Sequence, residues 1–138
     1  MTLDLHATPQ EAMRAVEAFQ AFGRARGIGE NTLFGLALAL EECASNIVNH
    51  ALQRDPTRTF RVRFDHTADR VVIELRDDGP MFDPTQAPTR EPSAEDDDLP
   101  PGGWGIQLVR RHTDEVRYAR EAAENVLRLT KQLDPSGG

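Results

Sequence analysis

Three groups of residues in this sequence have the types and spacing to do chemistry together. Glu42, Asn46 and His50 follow one another at intervals of four. On an α-helix each such step turns about 400°, so the three fall along one slowly drifting face. That face borders the apolar stripe of the same segment, which puts a carboxylate and an amide at the edge of the core. A carboxylate there can accept a proton, and an amide oxygen can ligate a hard cation. Taken alone, the spacing fits an ordinary solvated helix face better. His50 alone reads more readily as the partner of a backbone carbonyl than as a ligand.

The second group is Asp77-Asp78-Gly79-Pro80, which follows the apolar run Val71-Val72-Ile73-Glu74-Leu75. An Asp at a strand end can point into a pocket while the glycine lets the backbone turn away. Its carboxylate can accept a hydrogen bond from an exocyclic amine such as that of adenine. Guanine offers an acceptor at that place and would be disfavoured. The same residues are strong turn formers, and a plain turn explains them equally well. The third group is Gly102-Gly103-Trp104-Gly105-Ile106, ahead of a helical pattern. Glycines let a backbone approach a phosphate, and a helix N-terminus offers free N–H groups and partial positive charge. A lone glycine cluster also serves as a hinge, and this one is neither the Rossmann nor the Walker pattern.

The elements that must position these groups are legible. Leu3–His6 alternates as a short strand. Thr8-Pro9-Gln10-Glu11 predicts a helix start, with Thr8 as cap, Pro9 in the first position and Glu11 completing a capping box. Ala12, Val16, Phe19 and Phe22 continue at helical spacing until Gly27-Ile28-Gly29. A second helix is expected over residues 30–52, with a stripe through Leu33, Leu36, Leu40, Ala44, Ile47 and Val48. Two strands follow over 59–64 and 71–76. Residues 79–101 carry six prolines and the run Glu95-Asp96-Asp97-Asp98, which predicts an irregular, mobile loop. A short helix near 106–112 leads to two strands, 115–120 and 125–132, closing around Ala122-Ala123-Glu124. Strands joined by short turns predict mostly antiparallel pairing, with the helices on one face.

The bulk properties bound the function. At 138 residues the chain has the length of one domain with one sizeable core. Its 38% hydrophobic and 28% charged residues describe a globular protein without a membrane span. The net charge of −7 disfavours a phosphate backbone, so no direct nucleic-acid partner is expected. The first ten residues lack the basic and apolar regions of a secretory signal. Cys43 is the only cysteine, so no internal disulfide is possible, in keeping with a reducing cytoplasm.

The order of these signals is more specific than any one of them. E-x-x-x-N on a helix, a strand ending in D-x-G, a long loop, and G-G-x-G opening a helix before a terminal hairpin together resemble the GHKL (Bergerat-fold) ATPases. Within that superfamily the chain is most similar to the bacterial anti-sigma-factor serine/threonine kinases. The matching stretches are LALEECASNIVNHA (38–51), VIELRDDGPMFDP (72–84), GGWGIQLVRRHTDEVRY (102–118) and NVLRLTK (125–131). The resemblance implies a single-domain α/β two-layer sandwich over 1–138, its mostly antiparallel mixed sheet covered by helices on one face. Residues 85–101 would be its mobile acidic ATP lid. It implies Glu42 as catalytic base, Asn46 as the Mg²⁺ ligand, Asp77 as the adenine-reading carboxylate and Gly79 as its companion. Glycines 102, 103 and 105 would face the phosphates, and Thr130 would be a strand hydroxyl supporting the adenine side. The implied cofactors are ATP and Mg²⁺. The implied partners are a sigma factor, which is sequestered, and an anti-anti-sigma (STAS-domain) protein, which is phosphorylated, with a homodimer built on the first strand and helix. Met81 stands where many of the superfamily have a second glycine, and the lid is acidic. Those departures support an alternative, an ATP-dependent binding switch that regulates a partner without phosphotransfer.

Overall fold

The computed structural model describes residues 1–86 and 105–133. Apart from Thr85 and Gln86, the lid expected at 85–101 lies outside the described residues, as do Gly102 and Gly103. The chain runs through β1 (Thr2–His6), α1 (Pro9–Ala25), α2 (Glu30–Asn46), a π-helical turn (Ile47–Ala51), β2 (Thr59–His66), β3 (Arg70–Asp77), a 3-10 turn (Pro84–Gln86), α3 (Gly105–His112), β4 (Glu115–Glu121) and β5 (Glu124–Gln132).

Local chemistry accounts for the ends of α1. The Thr8 side chain accepts from Glu11 N–H at 3.2 Å, and Pro9 opens the helix. The Glu11 carboxylate reaches past the cap and accepts from His6 N–H at 3.4 Å, so it ties the helix to β1 instead of closing the expected box. At the other end Gly27 has φ +74°, Gly27 N–H donates to Arg24 O, and Ile28 N–H donates to Gly23 O. That is a Schellman stop, and the buried Ile28 seals it.

The second helix departs from the expectation. It is α-helical only to Asn46, and its last turn is widened, with Leu52 N–H donating to Ile47 O five residues back at 2.9 Å. The extra residue in that turn precedes a reversal through Gln53 and Arg54, both at positive φ. π-turns are rare and concentrate at functional sites. This one presses the Ala51 carbonyl against Gly79.

The sheet has the order β1-β2-β3-β5-β4, and every neighbouring pair is antiparallel among the described residues. Alternation sends Leu5, Phe60, Val62, Phe64, Val71, Ile73, Leu75, Leu127 and Leu129 inward, where all are buried. Phe19 and Phe22 of α1 meet Phe64 with centroids 5.1 and 5.6 Å away, fixing that helix on the sheet. The opposite face carries charge. Glu74, only 5% exposed, accepts from Arg76 at 2.9 Å and from Arg128 at 2.7 Å. The two-layer α/β sandwich with helices on one face is therefore observed.

Helix α3 lies antiparallel on α2 through two close approaches. A β-carbon on Gly35 would stand 2.5 Å from His112 Nδ1, and one on Gly105 would stand 2.2 Å from Glu42 Oε1. Both separations are seven residues, one along each helix, so glycines at both ends set the distance and the register of the pair.

The terminal hairpin closes with Glu121 opposite Glu124, leaving the two-residue loop Ala122-Ala123 at φ 50° and 66°. Two consecutive left-handed residues make a type I′ turn, which alanine enters only against steric strain. Replacing Ala122-Ala123 by Asn-Gly is expected to stabilise the protein by about 1–2 kcal/mol in urea unfolding. An unchanged or lowered midpoint would contradict this turn geometry.

Candidate functional site

A cavity of about 480 Å³ opens between α2, its π turn, α3 and the ends of β3 and β5. That is within the range of small-molecule sites. Its walls are mostly apolar, from Leu75, Ile106, Val109, Leu127, Met81 and Phe82. A few polar groups converge on it, namely Asn46, His50, Asp77 and Asn125. An apolar slot with few directional groups suits a flat heteroaromatic ring better than a sugar or a peptide.

Asp77 is the last residue of β3, and the inward phase through Val71, Ile73 and Leu75 carries it toward the cavity. It is 5% exposed. Its Oδ1 accepts from Gly79 N–H at 2.9 Å and from Asn125 Nδ2 at 3.0 Å. Oδ2 has no protein partner among the described residues, and no described buried side-chain oxygen is left without one. Oδ2 therefore remains open to the cavity. The turn and the pocket are thus the same feature, with one oxygen closing the turn and the other facing a ligand. Burial pushes the Asp77 carboxyl above its ordinary range, against the pull of the bonds from Asn125 and Gly79.

Gly79 has to be glycine for reasons of space. A β-carbon there would sit 2.8 Å from Ala51 O and 2.9 Å from Asp77 Oδ1. The first contact is to backbone, which cannot swing aside.

Glu42 sits on α2 one turn before Asn46, half-buried, against Gly105 at the start of α3. Burial raises its carboxyl above the ordinary range, and the neighbouring Glu41 adds to this, while His50 pulls the other way. Asn46, the last residue of α2, and His50, in the π turn, both line the cavity. Cys43 lines it too, and burial, reinforced by Glu42, pushes its thiol up to about 12, so it stays neutral and serves as apolar wall.

Thr130 requires correction. It lies opposite Val72 in β5, five residues from Asn125, and five is odd, so it points to the other face of the sheet. The strand residue that supports Asp77 is Asn125, directly opposite it in register. Sequence reasoning missed Asn125, yet the signal was present, since Leu127 and Leu129 face inward and the same alternation turns residue 125 inward. Tyr118 and Arg120 on β4, which both bond Asn125, carried no comparable signal. Of the glycines expected to face phosphates, only Gly105 is among the described residues, and it closes against Glu42.

An antiparallel sheet under helices, an Asp–Gly pair at a strand end and a helix carrying Glu and Asn over one apolar slot define an ATPase of the histidine-kinase-like fold. Residues 5–131 match the family of the histidine kinase-like ATPase domain, and the chain belongs to that family. It is similar to the serine/threonine-protein kinase BtrW of Bordetella bronchiseptica, 29% identical over 134 residues, covering 97% of this chain and 94% of that protein. It is also similar to the serine-protein kinase RsbW of Bacillus subtilis, 32% identical over 103 residues, covering 72% of this chain and 64% of that one. The RsbW of Bacillus licheniformis is 31% identical, covering 78% and 69% respectively.

Gly79→Ala is expected to cost about 1–3 kcal/mol in urea unfolding, as overpacking against backbone does. A variant as stable as wild type would show that the β3 end does not lie against the π turn.

Proposed function

We propose that the protein is an ATP-dependent serine/threonine kinase. It sequesters a sigma factor and phosphorylates an anti-anti-sigma, STAS-domain partner. The observation that carries the reading is the placement of Glu42. It is a half-buried carboxylate with a raised pKa, one helical turn from Asn46, at the Gly105 end of the Asp77 cavity. The names of the similar kinases and the shared motif order support it. Residues 1–138 are read as one functional unit working in the cytoplasm. Among the described residues no helix is long and apolar enough to cross a membrane.

In this reading Asp77 Oδ2 accepts from the adenine amine, and the apolar walls cover the ring. The open N–H groups at the start of α3, beginning with Gly105, receive the phosphates. Asn46 would hold Mg²⁺ through its amide oxygen. Among the described residues no cluster of three or more His, Cys, Asp or Glu offers a dedicated metal cage. That fits an ion that arrives on nucleotide phosphates and keeps its waters. When bound, the ion neutralises charge on the transferring group. Glu42 takes the proton from the attacking serine or threonine hydroxyl, and its raised pKa makes it a stronger base than an ordinary glutamate.

The test is transfer of the γ-phosphoryl group from labelled ATP to a STAS-domain partner. Glu42→Gln is expected to lower the rate by about 10²–10⁴-fold while nucleotide binding is kept. No transfer by wild type, with ATP binding intact, would mean that the nucleotide acts as a conformational ligand.

The pH dependence follows from the same group. Glu42 works only when ionised, so activity falls as pH drops through its pKa, on an acid limb above the ordinary glutamate range. A carboxyl raised by folding contributes stability below its unfolded pKa and loses it as pH rises through the folded value. Glu42→Gln is therefore expected to raise the thermal midpoint at neutral pH and to leave it unchanged or lower below the unfolded pKa. A lowered midpoint at neutral pH would contradict the burial penalty assigned to Glu42.

A further inference from the structure

Asn125 is buried, at 6% exposure, and every polar atom of its side chain is engaged. Its Nδ2 donates to Asp77 Oδ1 at 3.0 Å, to Pro80 O at 2.9 Å and to Gly79 O at 3.4 Å. Its Oδ1 accepts from Tyr118 Oη at 2.5 Å, from Phe82 N–H at 3.2 Å and from Arg120 at 3.2 Å. Only acceptors surround the nitrogen, and the oxygen faces the obligate donors Phe82 N–H and Arg120 beside the Tyr118 hydroxyl, so a flipped amide would keep at most the Tyr118 contact. Arg120 closes the ring by donating to Gly79 O at 2.8 Å.

Two consequences follow. First, the side-chain amide binds Pro80 O and Phe82 N–H together, as a facing strand's peptide group would. It holds the turn after β3 in an extended form and leaves Met81 and Phe82, 70% and 50% exposed, as a wall of the cavity. No glycine is needed at 81 when the backbone is clamped on both sides of it. Second, the bond to Asp77 favours the ionised carboxylate, which only accepts hydrogen bonds. Burial pushes Asp77 toward the neutral acid, and Asn125 is the leading opposing influence. A neutral Asp77 could donate to the carbonyl of guanine, so losing Asn125 would open the site to the wrong purine.

We propose that Asn125 is the positioning residue that sets purine specificity in this site. It keeps Asp77 acceptor-only, with Oδ2 free for an exocyclic amine, and it fixes the 80–82 wall over the ring. This rests on the nucleotide reading above. Asn125 acts through Asp77 and the turn and makes no chemical step itself.

The test is equilibrium titration of ATP and of GTP, each with Mg²⁺, into wild type and Asn125→Ala, with amide hydrogen exchange at Phe82 measured on both proteins without nucleotide. Asn125→Ala is expected to lower the ATP-over-GTP preference about tenfold, as loss of a buried partner does. The Phe82 amide is expected to exchange faster, because its acceptor is gone. A general loss of packing would weaken both nucleotides alike and leave their ratio unchanged. If Asn125→Ala does not fold cooperatively, Tyr118→Phe decides. It keeps the ring, removes only the donor to Asn125 Oδ1, and is expected to lower the same ratio about twofold to fivefold. ATP bound with an unchanged preference in the deciding variant overturns the proposal and leaves the nucleotide reading standing. No ATP binding by wild type overturns both.

Discussion

Asp77 is a carboxylate taken almost wholly out of water at the end of a central strand, and the surrounding structure is arranged to tolerate it. An ionised group in an apolar setting costs several kcal/mol unless hydrogen bonds replace its hydration. Here one oxygen receives two such bonds, from the Gly79 amide and the Asn125 side chain, and the other is left toward the cavity. Around this group the chain makes choices that packing alone would not require. The strand stops, a glycine follows where no β-carbon fits, and the helix above ends in a widened turn whose Ala51 carbonyl lies on that glycine.

That constraint links fold to chemistry. The sheet brings residue 125 opposite residue 77, from strands 48 positions apart in the chain. The α2–α3 pair, spaced by Gly35 and Gly105, brings Glu42 to the N-terminus of α3. Asp77 and Glu42 are thus held on different elements, Asp77 in the cavity lining and Glu42 against Gly105, which also lines it. Both carboxyls are raised by burial, so both weaken the folded state near neutral pH.

The architecture was legible in the sequence wherever a single period or a single cap determined it. Alternation placed Phe60, Val62 and Phe64 inward, and Thr8, Pro9 and Gly27 bounded the first helix. That Asn46 and Asp77 line one cavity, with Glu42 a helical turn before Asn46, was legible because helix spacing and a strand-end turn are local signals. What required the structure was non-local or irregular. Thr130 was assigned to the adenine side, although an odd offset from Asn125 turns it to the other face. The π turn has no periodic signature, since the apolar stripe runs through Ile47 and Val48 unbroken. The Asn125 amide acquires its role only from partners on β3, on the turn after it and on β4.

Calorimetric titration of Mg²⁺–ATP and Mg²⁺–GTP into wild type and Asp77→Asn tests most directly the proposal that Asp77 reads an amine-bearing purine. Wild type is predicted to bind ATP in preference to GTP, and the variant, which can present a donor where Oδ2 accepts, is predicted to lose that preference. Equal ATP binding by both proteins, or none by wild type, would contradict the assignment of this cavity as the nucleotide site.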